Sequence, residues 1–269
     1  MATHPPILSD FPRPFLFAHR GLSSQYPENT IAAFKAAKDR GVPGIELDVH
    51  LVQGGRLLVF HDDTTQRIPG GLVRQIETEN FDALRDLDIG AWKGPQFAGQ
   101  IMPLLEEVLE ELGKDMYFDI EIKSRTTGDR GLESRLAACL SRHAMKRRCI
   151  VSSFNPFSLR RFKFLGTGIP TALIWTDRPE LHWFLRRGEG RFVAGVDILK
   201  PERHLALRIL ARLRNAKVRA AARRSLPVLP WTVDQADEGA SLLELGALGL
   251  ISNDPGIHIP ATRTRMQKL

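Results

Sequence analysis

Residues 44–52 read GIELDVHLV, and residues 116–123 read MYFDIEIK. In both, charged and apolar residues alternate. Side chains two apart on a strand share a face, so Glu46 and Asp48 lie on one side and Ile45, Leu47 and Val49 on the other. Asp119, Glu121 and Lys123 likewise share one face. Such alternation fits an antiparallel sheet with one solvated face, or a closed sheet with a polar interior. The order of the neighbouring segments distinguishes the two.

Outward from these two runs, short apolar segments recur at 15–19, 57–61, 149–154, 171–176, 192–198, 226–233 and 248–252. Helix-like stretches fall between them at 28–39, 103–112, 132–143, 156–164, 179–187, 202–218 and 235–245. Helix starts are marked by Asn29-Thr30 and Asn155-Pro156. Strand–helix alternation at this count predicts an α/β protein, a (β/α)8 TIM barrel. A doubly wound open sheet is the alternative, but no glycine-rich dinucleotide fingerprint follows the first strand. Residues 62–101 interrupt the rhythm with Gly70-Gly71, Gly90, Gly94-Pro95 and Gly99. They read as a small insertion after the second strand, covering part of the barrel mouth, within one domain spanning 1–269. In a parallel barrel both sheet faces are covered, so inward charges must be paired or metal-bound.

Composition narrows the classes. The 269 residues are 43% hydrophobic and 26% charged, a globular balance. No apolar run approaches a membrane span. MATHPPILSDFPRP lacks the apolar core of a secretory signal. Cys139 and Cys149 cannot build a disulfide framework, so a reducing cytoplasm is the expected setting. The net charge of +7 is local: residues 203–224 hold eight Lys/Arg and no acid, leaving 30 basic against 31 acidic residues elsewhere. Leu205, Ile209 and Leu213 fall four apart there. The segment reads as a surface helix with a solvated basic side, or as a peripheral contact with an anionic membrane or an acidic partner. No stacking aromatics interleave with its arginines, which argues against nucleic acid.

Four polar clusters close predicted strands, at the end where a barrel carries its chemistry. They are His19-Arg20-Gly21, Glu46-Leu47-Asp48, His61-Asp62 and the run from Asp119 to Lys123. Glu46, Asp48 and Glu121 offer hard oxygen donors suited to a divalent cation, Mg2+ or Ca2+. His19 and His61 are candidates for general base and general acid, and the sequence allows either order. Arg20 and Lys123 supply fixed positive charge for an anionic oxygen. Together these residues describe phosphodiester cleavage. Schiff-base chemistry at Lys123 is the competing reading, disfavoured because adjacent carboxylates would keep the lysine protonated.

The chain resembles the glycerophosphodiester phosphodiesterase family. The motifs are H-R-G at 19–21, P-E-N-T at 27–30, E-L-D-V at 46–49, V-F-H-D at 59–62, E-I-K at 121–123, S-S-F at 152–154, W-T-V at 231–233 and S-N-D-P at 252–255, in the family's order. The resemblance implies a metal-dependent barrel hydrolase releasing glycerol 3-phosphate and an alcohol from small glycerophosphodiesters. It implies metal on Glu46, Asp48 and Glu121, acid/base roles for His19 and His61, and a phosphate site at Arg20 and Lys123. Trp231 and Phe154 would form an aromatic wall against substrate, and Glu28 and Asn29 would support the first loop and cap its helix. Sphingomyelinase D-like or lysophospholipase D-like cleavage of a lipid diester, by way of a cyclic phosphate, is the related alternative. The Arg-rich stretch before Trp231 departs from the family pattern.

Overall fold

Eight staves form around one axis in a computed structural model that describes residues 8–70, 72–179, 181–214 and 226–259. The strands are β1 (Phe15–His19), β2 (Gly44–Val52), β3 (Arg56–Val59), β4 (Tyr117–Ile122), β5 (Cys149–Ser153), β6 (Thr171–Trp175), β7 (Ile198–Pro201) and β8 (Gly249–Ser252). The helices are α1 (Ile31–Asp39), α2 (Phe81–Arg85), α3 (Leu105–Leu112), α4 (Leu132–Arg142), α5 (Pro156–Phe164), α6 (Gly190–Ala194), α7 (Arg203–Arg214) and α8 (Ala236–Glu244). The sheet order is β7-β6-β5-β4-β2-β1-β8, with β3 off the path on β2. Every pairing along that path is parallel, the curled arrangement of a TIM-barrel fold.

Residues 228–233 close the gap between β7 and β8. Val228 and Trp231 form parallel bridges to Leu199 and Glu202. On the other side Leu248 N donates to Val228 O at 2.7 Å and Val233 N to Ile251 O at 2.9 Å. Pro227 and Pro230 lack an N–H, so the predicted strand at 226–233 survives only as isolated bridges.

Three further expectations shift. The 57–61 run is β3, an antiparallel hairpin partner of β2 that adds no stave. The run at 192–198 is not a strand: helix α6 ends at Gly195 (φ 60°), and the strand begins at Ile198. Its apolar content is continuous, so periodicity could not fix the register. The helix expected at 179–187 is one 3-10 turn, 183–185. The basic helix is described as Arg203–Arg214, and residues 215–224 lie outside the described residues.

The barrel interior has an apolar floor of Phe11, Phe15, Phe17, Ile150, Ala172, Ile198, Leu229 and Ile251. Phe11 plugs it from below, its ring 4.5 Å from Phe15 and 5.0 Å from Phe17. Gly44 makes room: a Cβ there would meet the Phe17 ring at 2.6 Å. Ile45, Leu47, Val49, Phe118, Ile120 and Ile122 face outward into the helix layer, as the alternation requires. Above the floor, the same strands turn charged side chains inward. The segment between β3 and α3 gathers a small core of its own, with Ile68, Ile76, Leu84 and Ile89 against Val52, Leu58 and Phe60.

Candidate active site

His19 ends β1 and is followed by two residues at positive φ, Arg20 (55°) and Gly21 (83°). A Cβ on Gly21 would meet Ala33 at 2.7 Å, so this tight turn needs glycine. The turn brings Arg20 N to donate to Glu46 Oε2 at 3.2 Å and sets Arg20 Nε 3.3 Å from Asp48 Oδ2. His19 is 14% exposed, with Nε2 3.9 Å from Glu46 Oε2. Its Nδ1 lies 2.7 Å from Asn253 Oδ1. Burial, then the adjacent Arg20 cation, presses its pKa down to about 3 against the upward pull of Asn253 and Asp48.

Glu46, Asp48 and Glu121 each bring a carboxylate oxygen within 4.8 Å of the others, and all three are buried. The register makes this happen: β2 pairs β4 with Glu46 opposite Asp119 and Asp48 opposite Glu121. Asn29 Nδ2 donates to Asp48 Oδ2 at 2.9 Å, while Asp48 Oδ1 accepts no hydrogen bond. Lys123 Nζ sits 2.9 Å from Glu121 Oε1 and 3.4 Å from Asp48 Oδ1. Burial alone would raise the Asp48 carboxyl, but Lys123 and then Arg20 hold it well below the usual range. Glu46 goes the other way, pushed up by burial and by Asp48. Oxygen-only donors, a buried acceptor without a hydrogen bond and a carboxylate short of positive charge suit one hard divalent cation.

A second layer lies beneath. Lys200, 2% exposed on β7, reaches Asp119 Oδ2 at 2.8 Å and donates to Ser152 Oγ at 3.0 Å; Ser152 Oγ donates to Asp119 Oδ1 at 2.7 Å. Asp119, Glu46 and Glu121 outweigh the desolvation of Lys200 and raise its pKa.

At the rim, His61 Nδ1 lies 2.7 Å from Asp62 Oδ1. Asp62 also pairs with Arg67 Nε, whose Nη2 is 2.6 Å from Glu28 Oε1; Arg20 Nη1 reaches that same oxygen at 3.0 Å. A chain of polar contacts therefore runs from His61 to the acidic cluster. His50, one step above Asp48, is fully buried beside it, its Nε2 3.5 Å from His61 O. Trp231 Nε1 donates to Lys200 O at 2.9 Å, and Phe154 packs edge-on against its ring at 5.6 Å.

The nine residues expected from sequence thus occupy one end of the barrel. Glu28 and Asn29 do support the first loop, through Glu28 Oε1 on Arg20 and Asn29 N donating to Arg20 O at 2.9 Å, but Thr30 caps α1, and the Asn29 side chain holds Asp48. Sequence reading missed Lys200, Ser152, Arg67, Asn253 and Asp234, the last accepting from Asn253 Nδ2 at 2.7 Å. The S-N-D-P and S-S-F motifs were the available signals.

The model of the glycerophosphoryl diester phosphodiesterase family matches residues 19–257. The chain belongs to the glycerophosphoryl diester phosphodiesterase family. It is accordingly an enzyme of the phosphoric diester hydrolase class. It is 33% identical over 249 residues to a glycerophosphodiester phosphodiesterase of Caldanaerobacter subterraneus, covering 89% of this chain and 94% of that one. A Bacillus altitudinis glycerophosphodiester phosphodiesterase is 30% identical, covering 89% and 94%. Among solved structures, an Oleispira antarctica phosphodiesterase in complex with the product sn-glycerol-3-phosphate is similar, with TM-score 0.74, 25% identity and coverage of 95% and 98%.

Proposed function

We propose that this chain hydrolyses glycerophosphodiesters to glycerol 3-phosphate and an alcohol. The observation that carries the reading is the pair of histidines whose Nδ1 atoms are both claimed, by Asn253 and Asp62, beside three carboxylates that share one small volume. Asn253 is anchored by its amide nitrogen on Asp234, so its oxygen faces His19 and takes the Nδ1 proton. Nε2 of His19 then carries the lone pair, and burial keeps the ring neutral, which suits a general base. His61 Nδ1 rests against the ionised Asp62 carboxylate, which orients the ring so that Nε2 can give its proton to the leaving alcohol, the general-acid role.

Glu46, Asp48 and Glu121 would hold Mg2+ or Ca2+, which when bound supplies Lewis-acid stabilisation of a phosphoryl oxygen. Arg20 and Lys123 orient the phosphate and offset its charge; both stay protonated among these carboxylates. The base removes a proton from water or from the neighbouring glycerol hydroxyl; the latter route passes through a cyclic phosphate. Trp231 and Phe154 form an apolar wall for the carbon skeleton. Residues 203–224 are a candidate for peripheral contact with an anionic membrane or acidic partner. Two free, buried cysteines suit a cytoplasmic setting, and we read the barrel with its 62–101 insertion as one working domain.

The test is release of glycerol 3-phosphate from glycerophosphocholine, glycerophosphoethanolamine and glycerophosphoglycerol, each with Mg2+, Ca2+ or EDTA. Cation-dependent release from at least one is expected. Activity indifferent to EDTA would remove the cation, and no release from any would overturn the substrate class.

A further inference from the structure

Between β6 and β7, residues 181–192 read LHWFLRRGEGRF, three large aromatics and three arginines against one carboxylate, Glu189. Trp183 and Phe192 are each 77% exposed, among the most exposed large apolar side chains of the described residues. The segment leaves the C-terminal end of β6, the same end of the barrel at which His19 closes β1. It is held to that rim: Gly188 lies against the Trp175 ring, and Gly190 against Pro156 and Leu173. Helix α6 buries Gly190 and Ala194 and leaves Phe192 outside.

The arginines here are not neutralised. Arg186 donates to the carbonyls of Leu181 (2.8 Å) and Pro179 (2.9 Å), and Arg191 to that of Gly188 (2.7 Å) with its guanidinium 4.2 Å over the Phe192 ring. Among the described residues no carboxylate pairs with Arg186, Arg187 or Arg191. The first half of the neighbouring helix α7 differs: Arg203 pairs with Glu238, and His204 and Arg208 with Asp177, while Arg212 and Arg214 follow in its last turn. Arg208 also offsets part of the charge of Asp177, at the foot of this loop. Protruding rings among unneutralised arginines suit a fluid anionic interface, which demands no matching pocket, better than a shaped protein partner.

We propose that residues 181–192 form a peripheral docking surface for an anionic lipid bilayer, with Trp183 and Phe192 entering the interface and Arg186, Arg187 and Arg191 meeting lipid phosphates. Docking there turns the mouth toward the bilayer. On the phosphodiesterase reading above, the substrates so presented are single-chain lipid phosphodiesters, lysophospholipids.

The test is co-sedimentation of the full chain with phosphatidylcholine vesicles, with and without a quarter of phosphatidylglycerol. The expected result is association with the anionic vesicles alone, weakened by salt. Trp183→Ala/Phe192→Ala should lower that association about tenfold, and Arg187→Gln about fivefold, with turnover of soluble glycerophosphodiester and the circular dichroism unchanged. Absence of association, or equal association by the aromatic variant, would overturn the proposal. So would a loss seen only on neutralising Arg212 and Arg214, which moves the contact to α7. Because the readout is vesicle binding, its outcome is separate from that of the activity assay.

Discussion

Asn253 Oδ1 lies 2.7 Å from His19 Nδ1, and the amide that carries it is fixed from behind by Asp234, 2.7 Å from Asn253 Nδ2. The relationship sets the tautomer of a ring 234 residues away in sequence. Asn253→Ala should lower kcat about tenfold to a hundredfold with little change in KM, against a loss of about 10²–10⁴ for His19→Ala or His61→Ala. Steady-state kinetics checks this; a KM effect alone would mean that Asn253 serves substrate binding.

The acidic cluster should bind a divalent cation without substrate. Calorimetric titration with Ca2+ and Mg2+ should show one site, weakened by Glu121→Gln and by Asp48→Asn. Asn29→Ala, which frees Asp48 from its amide partner, should weaken it by about tenfold or more.

Lys200→Met leaves Asp119 buried without its cation. A charge left unpaired in an interior costs about 3–5 kcal/mol, and urea unfolding should show a loss of that order. Asp119→Asn/Lys200→Met removes both charges and should recover most of it. If the single variant unfolds at the wild-type urea concentration, the pair contributes nothing to stability.

Two histidines make stability fall in acid. His19 is held near 3 by burial and by Arg20, and His258 is lowered by burial, its Nε2 2.8 Å from Val233 O. Both have folded pKa values below the unfolded value of about 6.5. Below that pH the unfolded chain binds protons the fold does not, so stability drops from about pH 6.5 toward pH 3 and is retained above it. Denaturation midpoints across this range should show the slope, and His258→Gln should flatten it.

Arg67 joins Asp62 to Glu28 and so ties the His61 loop to the turn that carries Arg20. Arg67→Ala should cut kcat about tenfold, with partial recovery in Arg67→Lys. Equal activity in all three proteins would make the link ornamental.

The strand alternations made Glu46, Asp48, Glu121 and Lys123 legible because period 2 sorts charge from core without tertiary knowledge. His19-Arg20-Gly21 and His61-Asp62 were legible because each closes an apolar run. Lys200 was hidden in ILKP, where a misplaced strand at 192–198 put it outside the sheet, and its partner Asp119 comes from three staves away. Asn253 stands inside the S-N-D-P motif and Asp234 just before the helix-like stretch at 235–245, and nothing local says that they meet. The closing stave at 228–233 was blurred by two prolines that remove the ladder bonds a strand pattern presumes.

The segment between β3 and α3 begins and finishes side by side. Leu58 on β3 bridges Leu104 just before α3, and Val59 N donates to Pro103 O at 2.8 Å. Its own small core is separate from the floor and from the helix layer. Beyond the Asp62–Arg67 strut, evolution can therefore treat the rest of residues 62–101 as an exchangeable cassette: the stem spans a fixed gap, so its length and contents are free to drift while the polar end of the barrel stays constant. The same stem is a graft point for engineering, where one barrel could be fitted with the insertion of another.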